Sequence, residues 1–424
     1  MNDFIIVNAR IITLDEGDLP RRGDAMGNLG IIEHGFVLVR DGFIDQIDSG
    51  SPEKSVFEKS DEFVVIDAEG RVVLPTFIDC HTHSCWAGSR LEEFESGLRG
   101  VPYLEILAAG GGIMSTVRSV REASQEDLAT SLVGRVALLA SLGTTVVEVK
   151  SGYGLTTEDE LKMLRAIHDA SQEVPQLISG TFLGAHAIDP DVANFANIVI
   201  EETLPAVANE FPNITCDAYC EEGAWSVEET TKLFERAIEL GCPIRAHVDQ
   251  FNSLGMLTKA IELGAISVDH LEHSTDKELA LLAKSKTIGV LLPASGFCLN
   301  DEYARGRAII DMGCAVAIAT NLNPGSAPMP SMPFAIALAC RRLGLSPAEA
   351  ITAATVNAAC VLGLQEQVGR IKVGFRGDLQ LLDCEDEREL AWQVCGGGPL
   401  LVSIGGEIVH LLSESDVEID GEEE

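Results

Sequence analysis

Hydrophobic positions along the chain follow two different patterns. Residues 1–70 contain short apolar runs separated by Gly- and Asp-containing turns, without a helical period, and this is typical of β-strands. The same pattern returns after residue 367. Two strand-rich ends on either side of a different middle predict a small β domain, of the β-sandwich type, formed from both termini. We assign it residues 1–70 plus 367–424.

The middle of the chain, residues 71–366, alternates apolar runs with helical patterns. N-terminal capping signals, a Ser or Thr followed three residues later by Glu, occur at Thr157, Ser226, Thr275 and Ser346. Eight buried strands with helices between them predict an α/β fold, a parallel (β/α)8 TIM barrel. The predicted strands are residues 77–80, 144–150, 177–186, 214–220, 243–247, 266–270, 288–293 and 314–320.

Composition narrows the class of partner. The net charge of −36 argues against nucleic acid and anionic membranes as partners. No window approaches the ~20 apolar residues of a membrane helix, and the start lacks the features of a signal peptide. The 11 cysteines include no Cys-x-x-Cys pair and lie mostly in apolar runs. We therefore expect free thiols and a cytoplasmic protein.

Polar side chains collect where the predicted strands end. In a (β/α)8 barrel the active site lies at the C-terminal ends of the strands, so these residues should lie close together. A set contributed by several independent strands is a more specific signal than any one member. The set comprises His81, His83, residues 150–153, His186, Glu221, Glu222, residues 247–250, His270 and residues 321–326.

Two of these histidines have the spacing of metal ligands. His81 and His83 are one residue apart, so on a strand both imidazoles point to the same face. His247 could supply a third nitrogen. Three protein ligands leave an open position for water, whose pKa a metal lowers toward ~7. We expect one divalent metal, zinc or iron, because both accept nitrogen-rich ligand sets.

Longer motifs carry a family resemblance. Residues 67–83, D-x-x-G-R-V-V-L-P-T-F-I-D-C-H-T-H, resemble the entry strand of the amidohydrolase superfamily, with Thr76 where Gly is usual, and residues 368–383 resemble its closing β segment. Other stretches are similar to one branch of that superfamily, which opens a five-membered cyclic amide bearing a propanoate tail in histidine degradation. These are residues 85–94, 109–117, 148–155, 181–186, 220–224, 247–250, 269–272 and 323–326.

The resemblance covers nearly the whole chain and implies a function. The implied reaction is metal-dependent hydrolysis of the ring amide of 4-imidazolone-5-propanoate to N-formimino-L-glutamate. The implied partner is a small molecule with a carboxylate tail, and the implied assembly is a homodimer. The metal would be held by His81, His83, His247 and the residue at position 321.

The same resemblance assigns the remaining roles. Catalysis would involve His270, beside the metal, together with Asn321 and Gln250. Arg90 can grip a carboxylate with two parallel hydrogen bonds, and His270 can stabilise an oxyanion. Gln250 can bond the ring amide, and Asn323 with the Gly325 backbone can hold the opened end of the product. Substrate or product contacts are implied for Arg90, Tyr153, His186, Gln250, Asn323, Gly325 and Ser326.

Asn321 departs from the family pattern, in which an acid at this position ligates the metal and transfers a proton. An amide can offer a neutral oxygen ligand, but it cannot shuttle protons. Because general acid–base assistance contributes roughly 10²–10⁴ in rate, we expect a deficit of at least that order. Three explanations stay open: a natural change with lost or altered activity, an introduced substitution, or replacement by Glu221 or Glu222.

Two alternative functions follow from the same residues. The chain could be a catalytically inactive protein that binds a small carboxylate in the same pocket. It could also hydrolyse a different cyclic amide or amidine. The joint presence of Arg90, Tyr153 and Asn323 argues against a substrate that lacks a carboxylate tail.

Overall fold

The computed structural model describes residues 3–53, 64–101, 105, 110–394, 398–412 and 418–420. Its strands in chain order are β1 (Phe4–Ile12), β2 (Ile31–Arg40), β3 (Phe43–Ser49), β4 (Val64–Asp67), β5 (Val72–Pro75), β6 (Phe77–Asp79), β7 (Thr144–Lys150), β8 (Leu177–Ala185), β9 (Thr215–Cys220), β10 (Ile244–Val248), β11 (Ser267–His270), β12 (Ile288–Leu291), β13 (Val316–Ile318), β14 (Leu379–Leu381), β15 (Leu401–Ile404), β16 (Glu407–Leu411) and β17 (Glu418–Asp420).

The α-helices of the described residues are α1 (Leu91–Leu98), α2 (Ile113–Glu122), α3 (Gln125–Ser141), α4 (Thr157–Glu173), α5 (Phe195–Ile198), α6 (Leu204–Glu210), α7 (Val227–Glu239), α8 (Met256–Leu263), α9 (Asp276–Leu282), α10 (Pro293–Leu299), α11 (Gly306–Asp311), α12 (Met332–Leu338), α13 (Pro347–Ala354), α14 (Val356–Val361) and α15 (Glu389–Trp392). A 3₁₀ turn covers Gly23–Gly27, and π-helical turns cover Val199–Thr203 and Ala339–Leu343. No helix in the described ranges is long and apolar enough to cross a membrane.

The eight predicted strands of the middle region form one parallel sheet in chain order, from β6 to β13. The first and last strands meet just beyond their ends, where Asn321 N donates to His81 O and His83 N donates to Leu322 O. The prediction of a TIM barrel is therefore confirmed. Long connections between parallel strands place helices on the outer face, as in other βαβ units.

The chain ends form a second sheet, as predicted. It has nine strands in the described residues, with central order β16-β15-β14-β5-β1-β2-β3, and β4 and β17 attached beside β1. Apolar side chains such as Phe4, Ile66 and Leu379 form its own core. Strands β5 and β6 are separated by Thr76 alone, and we propose that the two domains meet here, close to the predicted boundary.

Helix starts agree with the capping signals at three of four sites. Ser226, Thr275 and Ser346 each form a capping box with the Glu three residues later. The fourth prediction was wrong by one residue, since Thr156 caps α4 and accepts from Asp159 N. Glu160 could not complete a box at Thr157, because its carboxylate instead accepts hydrogen bonds from the loop before the helix.

Candidate metal centre and active site

Three histidines converge at the C-terminal end of the barrel. Nitrogen atoms of His81, His83 and His247 all lie within 4.8 Å of one another. His247 Nε2 and His83 Nε2 lie 3.4 Å apart. All three rings are buried. Rings packed so closely are unfavourable unless something binds between them, since each presents a nitrogen that needs a partner.

The backbone between His81 and His83 is fixed by β7. Thr82 N donates to Glu148 Oε2 at 3.1 Å, and Thr82 Oγ1 donates to the Glu148 carbonyl at 2.6 Å. Lys150 N donates to the Thr82 carbonyl. The strand that follows β6 in the sheet therefore holds the two-histidine segment by its main chain.

Two of the three imidazoles are each oriented by a different carboxylate. His81 Nδ1 lies 2.6 Å from Asp269 Oδ2, and His247 Nδ1 lies 3.1 Å from Asp217 Oδ1. Carboxylates accept, so each Nδ1 carries the proton and each Nε2 presents a lone pair. Carboxylate–histidine pairs of this kind are the usual second layer around protein-bound metals.

Electrostatics favour the neutral, metal-binding form of these rings. Burial is the main cause that lowers the pKa of His81 and of His83 well below the usual range, and nearby positive groups add to it. Burial also lowers the pKa of His247, against the opposing effect of Asp217. Neutral imidazoles bind metal ions without first losing a proton.

Asn321 lies beside this cluster in sequence and in space. Its backbone nitrogen donates to the His81 carbonyl, its Nδ2 donates to Ser295 Oγ at 2.8 Å, and its Oδ1 is buried without a hydrogen-bond partner. The residue adopts a left-handed conformation with φ of 55°, which Asn and Asp tolerate better than other side chains.

The orphaned atoms provide a test of whether a metal fits. His81 Nε2 and Asn321 Oδ1 are buried and lack partners, although buried polar atoms are nearly always bonded. His83 Nε2 and His247 Nε2 face each other in the same cluster. A divalent cation accepts imidazole nitrogens and an amide oxygen together. The donor set therefore fits a divalent metal, and it does not distinguish zinc from iron.

His270 lies next to the three histidines. Its ring centroid is 5.6 Å from that of His247 and 6.1 Å from that of His81. Its Nδ1 lies 3.2 Å from Glu272 Oε1, and its backbone has φ of 89°. Non-glycine residues rarely hold such a conformation, and they do so most often at functional sites.

Arg90 meets the loop that follows β13. A Cβ built on Gly325 would lie 3.5 Å from Arg90 Nη1 and 3.6 Å from Asn323 Oδ1, so these side chains share one corner. Arg90 Nε also lies 2.6 Å from Glu93 Oε1, and Nη1 donates to Thr116 Oγ1. The guanidinium that the sequence predicts to bind a carboxylate is thus paired with Glu93 in this structure.

Asn323 holds its own loop. Its Oδ1 accepts from Gly325 N at 2.9 Å and from Ser326 N at 2.7 Å, and its Nδ2 donates to the Asn321 carbonyl at 2.7 Å. The predicted contact between Asn323 and product would have to share these atoms. Ser326 Oγ accepts a hydrogen bond from Asn323 Nδ2 as well.

Tyr153 and His186 border the histidine cluster on the other side. His186 stacks on His83 with centroids 4.8 Å apart, and Tyr153 lies 5.1 Å from His186. Burial lowers the pKa of His186 to about 3, and burial raises the pKa of the Tyr153 hydroxyl. Both groups therefore remain neutral near pH 7 and can donate hydrogen bonds.

Glu160 fixes the loop that carries Tyr153. Its buried carboxylate accepts from the backbone nitrogens of Gly152, Gly154 and Leu155 at 2.8–3.0 Å. This explains why Glu160 does not cap α4. The tyrosine is thereby held by main-chain contacts on either side.

Gln250 lies two residues beyond the end of β10, three residues after His247, and is half-buried. The neighbouring Glu221 accepts from Phe251 N at 2.9 Å, Asn252 N at 3.2 Å and Asn252 Nδ2 at 2.8 Å. A carboxylate tied in this way supports the turn after β10. Glu222 is exposed. Neither acid belongs to the metal-ligand cluster of the described residues.

Sequence reasoning did not single out Asp217 and Arg245, and it assigned Asp269 no role. All three are buried charged residues within strands. These residues could have been found in the sequence as charged residues inside apolar runs. Arg245, in addition, lies two positions before His247. Lys150 Nζ donates to Glu148 Oε1 at 2.7 Å.

The fold and the histidine cluster define a class of protein, and comparison with known sequences agrees. A model described as the amidohydrolase family matches residues 72–409. Solved structures of this shape include guanine deaminase of E. coli, with a TM-score of 0.70 and 16% identity over 97% of this chain and 100% of that one. A 5-methylcytosine deaminase of Klebsiella pneumoniae has a TM-score of 0.73 and 16% identity, covering 96% and 98%. At this identity the likeness shows the fold alone.

Curated relatives are much closer. An imidazolonepropionase of Symbiobacterium thermophilum is 45% identical over 90% of this chain and 91% of its own length. An imidazolonepropionase of Herpetosiphon aurantiacus is 42% identical over 95% of this chain and 96% of its own. The chain therefore belongs to the amidohydrolase family and, within it, to the imidazolonepropionases.

Proposed function

We propose that this protein hydrolyses the ring amide of 4-imidazolone-5-propanoate to N-formimino-L-glutamate. The observation that carries the proposal is the buried cluster of His81, His83 and His247, in which His81 Nε2 has no partner, in a chain closely similar to imidazolonepropionases. Hydrolysis of a cyclic amide needs an activated water and a polarised carbonyl. In this proposal the three histidines hold a metal ion that activates the water and polarises the carbonyl.

One divalent metal, zinc or iron, would be held by His81, His83, His247 and the amide oxygen of Asn321. When bound, such an ion supplies Lewis-acid activation of a carbonyl and of water. The residues around it do the rest of the work in this proposal. His270, held by Glu272, would hydrogen-bond the carbonyl oxygen as negative charge develops there.

Residues at the rim of the site would orient the substrate. Arg90 would bind the propanoate carboxylate, and Tyr153 and His186 would donate hydrogen bonds to the tail or the ring. Gln250 would bond the ring amide. The loop carrying Asn323, Gly325 and Ser326 would hold the formimino end of the opened product. The proximity of Arg90 to Gly325 and Asn323 supports placing both ends of one small molecule here.

Asn321 limits the expected turnover. A group that moves the proton to the leaving ring nitrogen is missing at this position, and Glu221 is committed to the turn after β10. We therefore propose that the protein binds metal and substrate and that its rate is reduced by roughly 10²–10⁴ relative to an acid at position 321.

The direct test is product formation. Purified full-length protein, loaded separately with Zn²⁺ and Fe²⁺, is mixed with 4-imidazolone-5-propanoate, and N-formimino-L-glutamate is followed by mass spectrometry. Metal content is measured in the same samples. The proposal predicts slow metal-dependent product formation. Metal-loaded protein that neither binds nor opens the ring, even as Asn321→Asp, would overturn it.

A second function, binding without turnover, is favoured by one observation, the amide at position 321. It predicts saturable binding of the ring compound by calorimetry and no product in either metal form. Hydrolysis of a different cyclic amide remains a third option, and a panel of ring amides with and without a carboxylate tail would distinguish it.

We also propose a cellular location and an oligomeric state for the protein. The described cysteines are free, which agrees with the reducing cytoplasm. A homodimer is expected from the family resemblance. Light scattering of the purified chain at several concentrations would measure the assembly, and a monomer throughout would contradict that part of the proposal.

A further inference from the structure

Five charged side chains lie buried in the barrel interior, and the three carboxylates among them contact the histidine cluster or the residue between His81 and His83. The five are Glu148, Lys150, Asp217, Arg245 and Asp269, each at most 2% exposed. Barrel interiors are ordinarily filled by branched aliphatic residues, and burying a charge is unfavourable unless it is well paired. Packing alone therefore gives no reason for so many charges here.

The five residues pair with one another in a continuous network. Lys150 Nζ lies 2.7 Å from Glu148 Oε1 and 2.8 Å from Asp217 Oδ2. Arg245 Nη2 lies 2.5 Å from Asp269 Oδ2, and Arg245 Nη1 lies 3.4 Å from Glu148 Oε1. With its three carboxylates ionised and its two cations charged, the network carries one net negative charge.

Each carboxylate of this network also contacts one part of the histidine cluster. Asp269 Oδ2 meets His81 Nδ1, and Asp217 Oδ1 meets His247 Nδ1. Glu148 Oε2 accepts from Thr82 N, in the segment between His81 and His83. His81 and His247 are thus tied to the charged network by their rings, and His83 is tied to it through the backbone of its neighbour Thr82.

We propose that this five-residue network positions the three histidines as one unit for a divalent cation, and that its net negative charge favours binding of that cation. The inference rests on the metal site of the proposed function and deepens it. The network residues are positioning residues. Asp217 and Asp269 each contact a histidine, and Glu148 acts through the backbone of Thr82. Lys150 and Arg245 hold these carboxylates in place.

A purely structural role makes a different prediction. If the network only satisfies buried charges, removing one charge would lower the stability of the whole fold and leave metal affinity unchanged in the protein that remains folded. Positioning predicts a loss of metal affinity in folded protein. Loss of a group that orients a metal-binding histidine typically weakens metal affinity by about 10–100-fold.

The experiment uses Co²⁺ alone as the probe, titrated into chelator-treated full-length protein in competition with a chromophoric chelator. Asp217→Asn and Asp269→Asn keep side-chain shape and remove the charge. Asp378→Asn is the matched control, because Asp378 is a buried carboxylate in the loop before β14, outside the network. We expect about 10–100-fold weaker Co²⁺ binding in both network variants. Their visible Co²⁺ absorption bands should also change, whereas the control should match the parent chain.

Ser267→Ala provides a milder variant in case the asparagine variants fold poorly. Ser267 Oγ donates to Asp269 Oδ1 at 2.7 Å, so its loss loosens Asp269 without removing a charge. We expect Ser267→Ala to bind Co²⁺ more weakly than the control does. The loss of affinity should be smaller than in Asp269→Asn. Network variants that bind Co²⁺ as tightly as Asp378→Asn, with unchanged absorption bands, would overturn the inference.

The outcomes separate this inference from the proposed reaction. If the parent chain binds Co²⁺ and the network variants bind it weakly, the inference is supported even when no ring hydrolysis is found. If the parent chain binds Co²⁺ and all variants match it, the inference fails while the metal site stands. If the folded parent chain binds no Co²⁺, both the metal site and the inference are wrong.

Discussion

Asn321 Nδ2 donates a hydrogen bond to Ser295 Oγ at 2.8 Å, while Oδ1 of the same amide has no partner. A serine hydroxyl can rotate to donate as readily as it accepts. A carboxylate of the same shape would therefore fit at position 321, with Ser295 as its donor. The left-handed backbone there also suits Asp. The pocket is compatible with the acid that the family resemblance expects.

The first prediction concerns activity. Asn321→Asp restores a group that can carry a proton and ligate the metal, so ring hydrolysis should rise by roughly 10²–10⁴. The measurement is kcat for conversion of 4-imidazolone-5-propanoate in metal-loaded protein. Asn213→Asp is the matched control, because Asn213 has a similar positive φ of 62° but precedes β9 at the opposite end of the barrel. An equal rate in both variants would show that position 321 has no proton-transfer role.

The second prediction concerns stability of the same variant without metal. Asn321 is 3% exposed, and a carboxylate there would be buried with a single donor. We expect the free energy of unfolding of metal-free Asn321→Asp to be lower than that of the parent chain by about 1–3 kcal/mol. Zn²⁺ should reverse the loss, because it binds only the folded site. Urea unfolding in the presence of a chelator measures the loss of stability, and urea unfolding with Zn²⁺ measures its reversal. Equal stability of the two metal-free proteins would contradict the prediction.

The third prediction concerns the substrate tail. Arg90→Met removes the guanidinium and keeps much of its length, so KM should rise about 10–100-fold, the value of a lost charged hydrogen bond or two. Arg90→Lys should lie between, since lysine cannot form the two parallel bonds. Arg165→Met, at an exposed ion pair with Glu210, serves as the control. An unchanged KM in Arg90→Met would remove Arg90 from the substrate site.

The fourth prediction is a pH dependence. Burial raises the pKa of Glu160 above its ordinary value of 4.5, so above that pH the unfolded chain loses the proton before the native protein does. In that interval the native state binds more protons, and stability falls as pH rises. Glu160→Gln has no such proton.

The free-energy difference between parent and Glu160→Gln should therefore decrease with rising pH. Its slope can be no steeper than about 1.4 kcal/mol per pH unit. It should level off once the pH exceeds the native pKa of Glu160. Urea unfolding of both proteins at closely spaced pH values from about 5 to about 8 checks this. A difference that grows with pH would contradict it.

Much of the fold could be predicted from sequence. Parallel strands are buried on both faces, so they appear as apolar runs, and all eight predicted runs overlap barrel strands. The convergence of His81, His83 and His247 follows from the same rule, since parallel strands end at one edge. The wrong cap at Thr157 arose because Glu160 is used by a loop, which a local motif cannot reveal.

The charged network could not be predicted, because it depends on strand register. Asp217 lies opposite Arg245 on the neighbouring strand, and Asp269 lies opposite His247. A shift of one residue would turn each side chain to the other face of the sheet. No single run of sequence contains that information. The hydrogen bonds that Asn323 accepts within its own loop likewise depend on the folded conformation of that loop.

Thr76 is the one residue between β5 and β6, and its hydroxyl lies 2.5 Å from that of Thr145 on β7. Gln380 Nε2 donates to the Pro75 carbonyl from the sheet formed by the chain ends. This one-residue connection is therefore bonded both to the barrel and to the sheet formed by the chain ends. Because β6 ends only two residues before His81, packing between the two sheets bears directly on the strand that leads to the first histidine of the cluster.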